Sequence, residues 1–207
     1  MSPRYDEALR AAIARNLARL VGAPSQASGL KRAAVCLILA DDGEGGAAVV
    51  LTRRAEHLSA HSGQFALPGG RIDPGETAAE AALREAREEI GLALAPESIL
   101  GRLDDYPTRS GYLITPIVAW APCDAATIAN PTEVTAIYRV HLAELSRPGS
   151  PEFVIIPESD RPVIRYPLLG TLIHAPTAAV LYQFMEVAVH GRATRVAHLD
   201  QPPWAWR

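Results

Sequence analysis

Residues 70–92 read Gly-Arg-Ile-Asp-Pro-Gly-Glu-Thr-Ala-Ala-Glu-Ala-Ala-Leu-Arg-Glu-Ala-Arg-Glu-Glu-Ile-Gly-Leu. The second half of this stretch is a helix with its ends marked. Thr77 can cap the start, and Glu80, three residues on, completes a capping box. Gly91 follows Ile90 as the stop. Alanines and Leu83 between them favour helix. Ala79, Leu83, Ala86 and Ile90 recur at helical spacing and predict the apolar stripe. Glu85, Glu88 and Glu89, at i, i+3 and i+4, share a helical face. At 100° per residue they are expected opposite that stripe. On the helix alone, these acids read as a solvated face or as a cation site. Side chains that are all oxygen suit a hard divalent ion such as Mg²⁺ or Mn²⁺ rather than zinc.

The chain just upstream bears on that choice. Phe65-Ala66-Leu67 reads as a short strand, followed by Pro68-Gly69-Gly70 and the turn Asp73-Pro74-Gly75. Two adjacent glycines let the backbone approach a ligand closely and expose a carbonyl. Strand, tight loop and acidic helix can therefore converge on one cation cluster.

The segment resembles the Nudix box. The family pattern is matched by Gly70, Glu76, Arg84-Glu85, Ala86, Glu88-Glu89 and Gly91-Leu92. Ala86 is small where the pattern has a bulkier aliphatic residue. The resemblance implies that Glu85 and Glu89 are the principal ligands of Mg²⁺ or Mn²⁺. It makes Glu88 a ligand or a water-orienting residue, and assigns the Gly69 carbonyl to the metal. Glu76 and Arg84 correspond to a structural ion pair joining loop to helix. The implied reaction is hydrolysis of a pyrophosphate linkage.

A second stretch, residues 51–70, is similar to the element that marks coenzyme A pyrophosphatases within the Nudix superfamily. The matches are Leu51, Thr52, Arg54, Ala55, Gly63, Pro68, Gly69 and Gly70, with every spacing kept. Two positions depart: Ser59 replaces an arginine, and Leu67 replaces a phenylalanine. The lost guanidinium matters more, because it could grip a phosphate bidentately. The resemblance makes Arg54 the leading substrate-binding residue, followed by Arg53 and His61. By composition alone these are also ordinary strand-end and loop residues. The implied substrate is coenzyme A or acyl-coenzyme A, with 3′,5′-ADP and 4′-phosphopantetheine (or its acyl form) as products. ADP-ribose or a dinucleotide is the alternative. A ligand-sensing module that had lost catalysis would be expected to lack acids of the box, and all are present.

Hydrolysis also needs a proton acceptor, or a further metal-holding acid. Glu133, just before a predicted strand, is the leading residue for that role, and Glu88 could serve instead. Glu144, Glu152 and Glu158 are weaker alternatives. Arg109 and Ser110 leave both a substrate contact and a plain turn open. His174, His190 and His198 are scattered and carry no assignment.

The remaining pattern predicts one domain over residues 1–207, with an amphipathic helix over 5–21 ahead of the box at 70–92. Strands are expected at 33–40, 47–53, 99–106, 112–120, 134–140, 153–156, 163–165 and 194–198. A short helix is expected at 141–145 and a longer one at 176–189. This interleaving gives an α/β (α+β) fold with a mixed sheet between helices, and the resemblance implies the same α/β/α sandwich. The net charge of −3 and the absence of a basic run argue against a nucleic-acid partner. No apolar run approaches membrane-spanning length, and the N-terminus lacks a signal-peptide layout. A cytoplasmic protein with a small nucleotide pyrophosphate as substrate is the expectation, and a homodimer stays open. Cys36 and Cys123 form no metal or redox motif and are expected in the core.

Overall fold

The computed structural model describes residues 3–21, 29–55 and 63–205. Helix α1 (Glu7–Ala18) precedes strands β1 (Lys31–Asp41), β2 (Ala47–Arg54), β3 (Phe65–Ala66) and β4 (Gly69–Arg71). Helix α2 (Ala78–Ile90) leads to β5 (Ile99–Arg102), β6 (Tyr106–Pro107), β7 (Tyr112–Trp120) and β8 (Val134–His141). A short α3 (Leu142–Leu145) is followed by β9 (Glu152–Ile156), β10 (Ser159–Leu168) and β11 (Thr171–His174). Last comes α4 (Thr177–Gln183), which runs into a π-helical turn, Phe184–Val189.

Eight strands form a mixed sheet with the central order β3-β2-β1-β7-β5. β1 and β7 run parallel, and the other pairs are antiparallel. β1 is covered on both faces, so it reads as a continuous apolar run rather than an alternation. Leu37 and Leu39 point into one core, with Ile13 and Leu17 of α1 and Leu181 and Phe184 from the C-terminal helix. Ala34, Cys36, Ile38 and Ala40 point into the other, against Ala81, Ala82, Ala86 and Ile90 of α2. Helices thus flank a mixed sheet, as the sequence predicts.

The two layers differ in residue size. On the α1 and α4 side, large side chains fill the space, each contributing about 1.5–3 kcal/mol through burial. Tyr5 stacks on Trp120, with ring centroids 3.9 Å apart, and its hydroxyl donates to the Leu39 and Ala121 carbonyls. On the α2 side, small alanines give less burial energy per residue but let the helix lie close to the sheet. That closeness draws the acids of α2 against the strands.

β9, β10 and β11 form a separate antiparallel sheet. Its Ile164, Tyr166 and Ile173 belong to the same core as Leu37 and Leu39. Three expectations need correction. Residues 194–198 form no strand; Asp200 makes only an isolated bridge to Val163. The strand at Thr171–His174 was not expected. Its hairpin turns on Leu169 and Gly170, both with positive φ (52° and 72°). Such a two-residue turn usually begins with Asn, Asp or Gly, so leucine hides the signal. Cys36 is buried as expected, but Cys123 is exposed.

Candidate active site

The loop before α2 is tied to the helix through Arg84. Its Nε and Nη2 donate to the two oxygens of Glu76, at 2.9 and 3.1 Å. Nη2 also reaches the Arg71 carbonyl at 3.0 Å. Nη1 donates to Glu85 at 2.8 Å and to Glu88 at 3.0 Å. Hydrogen bonds from Arg84 hold the Glu76 carboxyl below the usual carboxylate range, assisted by the Asp73 amide. The Thr77–Glu80 capping box is formed, and Gly91 closes the helix in the left-handed conformation, φ 66°. Gly70, opposite Ala34 in β4, makes room for the next layer. A Cβ at Gly70 would run into the Glu85 carboxylate.

Glu85, Glu89 and Glu133 form the centre. Each offers an oxygen, and these oxygens lie within 4.8 Å of one another. Glu133 arrives from far along the chain on a turn docked to the end of α2. The Asn130 amide donates to the Glu89 carbonyl and the Ile128 amide to the Ile90 carbonyl, both at 2.8 Å. The Ala55 amide donates to the Glu133 carbonyl at 2.8 Å, which joins this turn to the end of β2.

Two ionised carboxylates at that separation repel by about 3–4 kcal/mol at an effective dielectric of 20. Glu89 carries most of the consequence. It is 2% exposed, and burial pushes its carboxyl up to about 8. Arg54 and the Gly69 amide oppose that rise, while Glu85 and Glu133 add to it. Glu85 is raised as well, chiefly by burial, with Arg84 acting against the rise. Among the described residues, Glu89 Oε2 is a buried oxygen with no hydrogen-bond partner. An orphaned carboxylate oxygen, facing two further carboxylates in an all-oxygen set, fits a hard divalent cation.

Beside the acids lies a cavity of about 320 Å³. Its walls are mainly apolar, including Val35, Leu67, Ile114 and Val180, with Arg54, Arg71 and Gln201 among the polar members. Arg54 Nη1 stands 3.6 Å from Glu89 Oε1.

Residues 29–155, more than half of the chain, match the family model of the NUDIX domain. This chain belongs to the Nudix family. A Nudix hydrolase named NudL in Yersinia pestis (strain Pestoides F), described as uncharacterized, is 40% identical over 97 residues. That alignment covers 46% of this chain and 49% of the relative. A NudL of Yersinia pseudotuberculosis serotype O:1b matches to the same extent. The chain spans about half the length of the curated relatives it matches. Among solved structures, a MutT protein from Methanosarcina mazei Go1 is similar, with 26% identity and a TM-score of 0.46. It aligns over 59% of this chain and 86% of its own.

Within this Nudix chain, the residues singled out in the sequence are distributed unevenly. Glu85, Glu89 and Glu133 are brought together, with Glu89 toward the sheet and not opposite the apolar face. The buried side of α2 is Ala81, Ala82, Ala86, Glu89 and Ile90. Leu83, expected in the stripe, instead lines an outer groove with Leu94. Alanine is only weakly apolar, so the periodicity followed Leu83 and misplaced the buried face by part of a turn. Glu88 lies outside the cluster; its side chain is 47% exposed and pairs with Arg84. Gly69 lies beside Glu89, where its backbone acts against the rise of that carboxyl.

Arg54 faces the acids, whereas Arg53 lines a second cavity of about 330 Å³ with Tyr138, His174 and Trp204. His61 lies outside the described residues, as does Ser59. Arg109 is committed to the C-terminal segment: its Nε donates to Asp200 at 2.8 Å and its amide to Gln201 at 2.7 Å. Ser110 lines the cavity beside the acids and is hydrogen-bonded with Thr108. Glu144 and Glu152 pair with Arg147 and Arg165, and Glu158 is exposed. The sequence reading missed Gln201, a buried amide on the cavity wall. It is remote from every motif, so only folding places it there.

Proposed function

We propose that this chain is a pyrophosphohydrolase dependent on Mg²⁺ or Mn²⁺, acting on coenzyme A or acyl-coenzyme A. The products would be 3′,5′-ADP and 4′-phosphopantetheine or its acyl form. One observation carries the reading: three converging carboxylates, one with an orphaned buried oxygen, beside an arginine-walled apolar cavity. Held by Glu85, Glu89 and Glu133, the cation would neutralise negative charge on the diphosphate as the anhydride bond breaks.

The chain's own groups supply the rest. The Arg54 guanidinium meets a non-bridging phosphate oxygen with a charge-assisted hydrogen bond. The apolar cavity takes the uncharged arm of the substrate and keeps bulk water away from it. Glu133, the acid supplied from outside the helix, turns one oxygen to the cation and with the other accepts the proton released as water adds to phosphorus. The P–O bond of the anhydride breaks, and the two phosphates leave on separate products. Glu76 and Arg84 hold the loop against α2 and stay out of the chemistry.

A second reading, hydrolysis of ADP-ribose or a dinucleotide, is supported by Ser59 and Leu67 at positions where the coenzyme A element differs. A panel of pyrophosphates with Mg²⁺ or Mn²⁺, read by phosphatase-coupled phosphate release, separates the two. Coenzyme A is expected to lead in kcat/KM by at least about tenfold, a 1.4 kcal/mol preference. An equal or better rate with ADP-ribose would transfer the assignment to the second reading.

A further inference from the structure

Arg54 and Glu89 each leave a buried polar atom unmatched. Among the described residues, Glu89 Oε2 has no hydrogen-bond partner, and neither has Arg54 Nε. Arg54 Nη1 stands 3.6 Å from Glu89 Oε1, longer than a good hydrogen bond. Arg54 therefore offsets charge at the acid cluster without satisfying it. Its side chain also forms part of the wall of the adjoining cavity. The guanidinium is thus placed between two anionic environments: the carboxylates now beside it, and whatever anion enters the cavity.

We propose that Arg54 is a coupling residue, an internal counter-ion that makes cation binding and diphosphate binding depend on one another. The inference rests on the cation site of the proposed function. Before a divalent cation binds, the guanidinium supplies the positive charge nearest Glu89. A cation held by Glu85, Glu89 and Glu133 satisfies Glu89 more fully and repels Arg54. The guanidinium then turns toward the cavity it already borders, where its unmatched Nε and an Nη released from Glu89 can take phosphate oxygens in a planar fork. Each ligand removes part of the cost of binding the other, and such coupling must be reciprocal. Arg84 cannot do the same, because its donors are already shared among Glu76, Glu85, Glu88 and the Arg71 carbonyl.

This role has a signature opposite to that of a simple anchor. Losing an anchor weakens anion binding and leaves the cation affinity alone. Losing an internal counter-ion tightens cation binding in the absence of anion.

The test measures Mn²⁺ binding to the full chain by the electron paramagnetic resonance signal of the free ion. Methylenediphosphonate, a diphosphate that cannot be hydrolysed, is either present or absent. In the wild-type chain the anion is expected to tighten Mn²⁺ at least tenfold. In Arg54→Gln, Mn²⁺ alone should bind several-fold more tightly, and the enhancement by anion should shrink to about twofold. Arg54→Lys retains the charge and lacks the fork. Its affinity for Mn²⁺ alone should stay within about twofold of wild type, with an intermediate enhancement.

An unchanged or weaker affinity of Arg54→Gln for Mn²⁺ alone, with its thermal melt intact, overturns the coupling role. If Arg54→Gln does not fold, a several-fold gain in Mn²⁺ affinity by Arg54→Lys overturns it instead. Absence of Mn²⁺ binding by the wild-type chain, or equal binding by Glu89→Gln, is a different failure. It removes the cation site itself, and so is distinguishable from loss of the coupling alone.

Discussion

Glu89 and Asp200 are both carboxylates with almost no exposure, 2% and 1%, and each has an arginine beside it. Their surroundings drive them in opposite directions. Burial pushes Glu89 up to about 8, and one loosely placed guanidinium and one amide do not reverse it. Burial raises Asp200 too, but there it is outweighed. Arg109, the Ser159 hydroxyl at 2.5 Å and the Gln201 amide at 2.8 Å bring it down to about 2. A buried charge is stable where the fold supplies a full set of donors and costly where it does not. Asp200 is finished by the fold, and it fixes the C-terminal segment to the 108–111 turn. Glu89 is left unfinished, with an open oxygen facing two other acids. That incompleteness is the ground of the cation site proposed above.

The largest effect is expected at Glu89→Gln. Turnover in Mg²⁺ or Mn²⁺ should fall by about a thousandfold or more, since a charged ligand is lost where negative charge develops. The cation-free protein should nevertheless become more stable at pH 8 by about 1–3 kcal/mol. Coupled phosphate release and a thermal melt in chelator measure the two. A variant that melts lower than wild type in chelator would show Glu89 already satisfied by the fold.

Asp200→Asn should act the other way on stability. It removes the charge that Arg109 pairs with, and the loss should be about 1–3 kcal/mol by denaturant titration, reduced by the partial exposure of Arg109. A loss below a few tenths would mean the pair is not a strut.

The pH dependence sharpens the contrast because the signs differ. Asp200 binds its proton more weakly folded than unfolded. Its contribution to stability is present above its ordinary value of 3.8 and is lost as pH falls through about 2. Glu89 binds its proton more tightly folded. In the cation-free protein its contribution is complete below 4.5 and is lost as pH rises through about 8. Melts in chelator at pH 5 and pH 9 should therefore converge when Glu89 is replaced by Gln. An undiminished gap between them in that variant would assign the alkaline loss to another group.

The smallest effect is expected at Glu88→Gln. Its carboxylate is half exposed and lies outside the three-acid cluster. Stability should change by less than about 1 kcal/mol, and turnover by no more than about tenfold. A loss in turnover equal to that of Glu89→Gln would place Glu88 among the ligands in the working state.

Much of the local site is legible in the sequence because it is built from near neighbours. Thr77, Glu80 and Gly91 mark the ends of α2, and Glu76 with Arg84 closes the loop on it. What escaped depends on chain returning from a distance. Leu83 drew the apolar stripe toward itself, and only the sheet shows that Ala81 and Ala82 join Ala86 and Ile90 on the packed face. Gln201 and the Arg109–Asp200 pair join segments far apart in sequence and carry no local pattern. The Leu169–Gly170 turn lacks the residue that usually announces it.

The spacing of acids along one helix is fixed by helical geometry, so the chain alone determined that Glu85 and Glu89 lie on neighbouring turns of one flank. It could not determine which of them would be dry. Burial, the approach of Glu133 and the loose pairing with Arg54 arise only when α2 lies on the sheet and the later turn docks against its end. Desolvation acts through the whole surroundings of a group, and those surroundings exist only in the folded molecule.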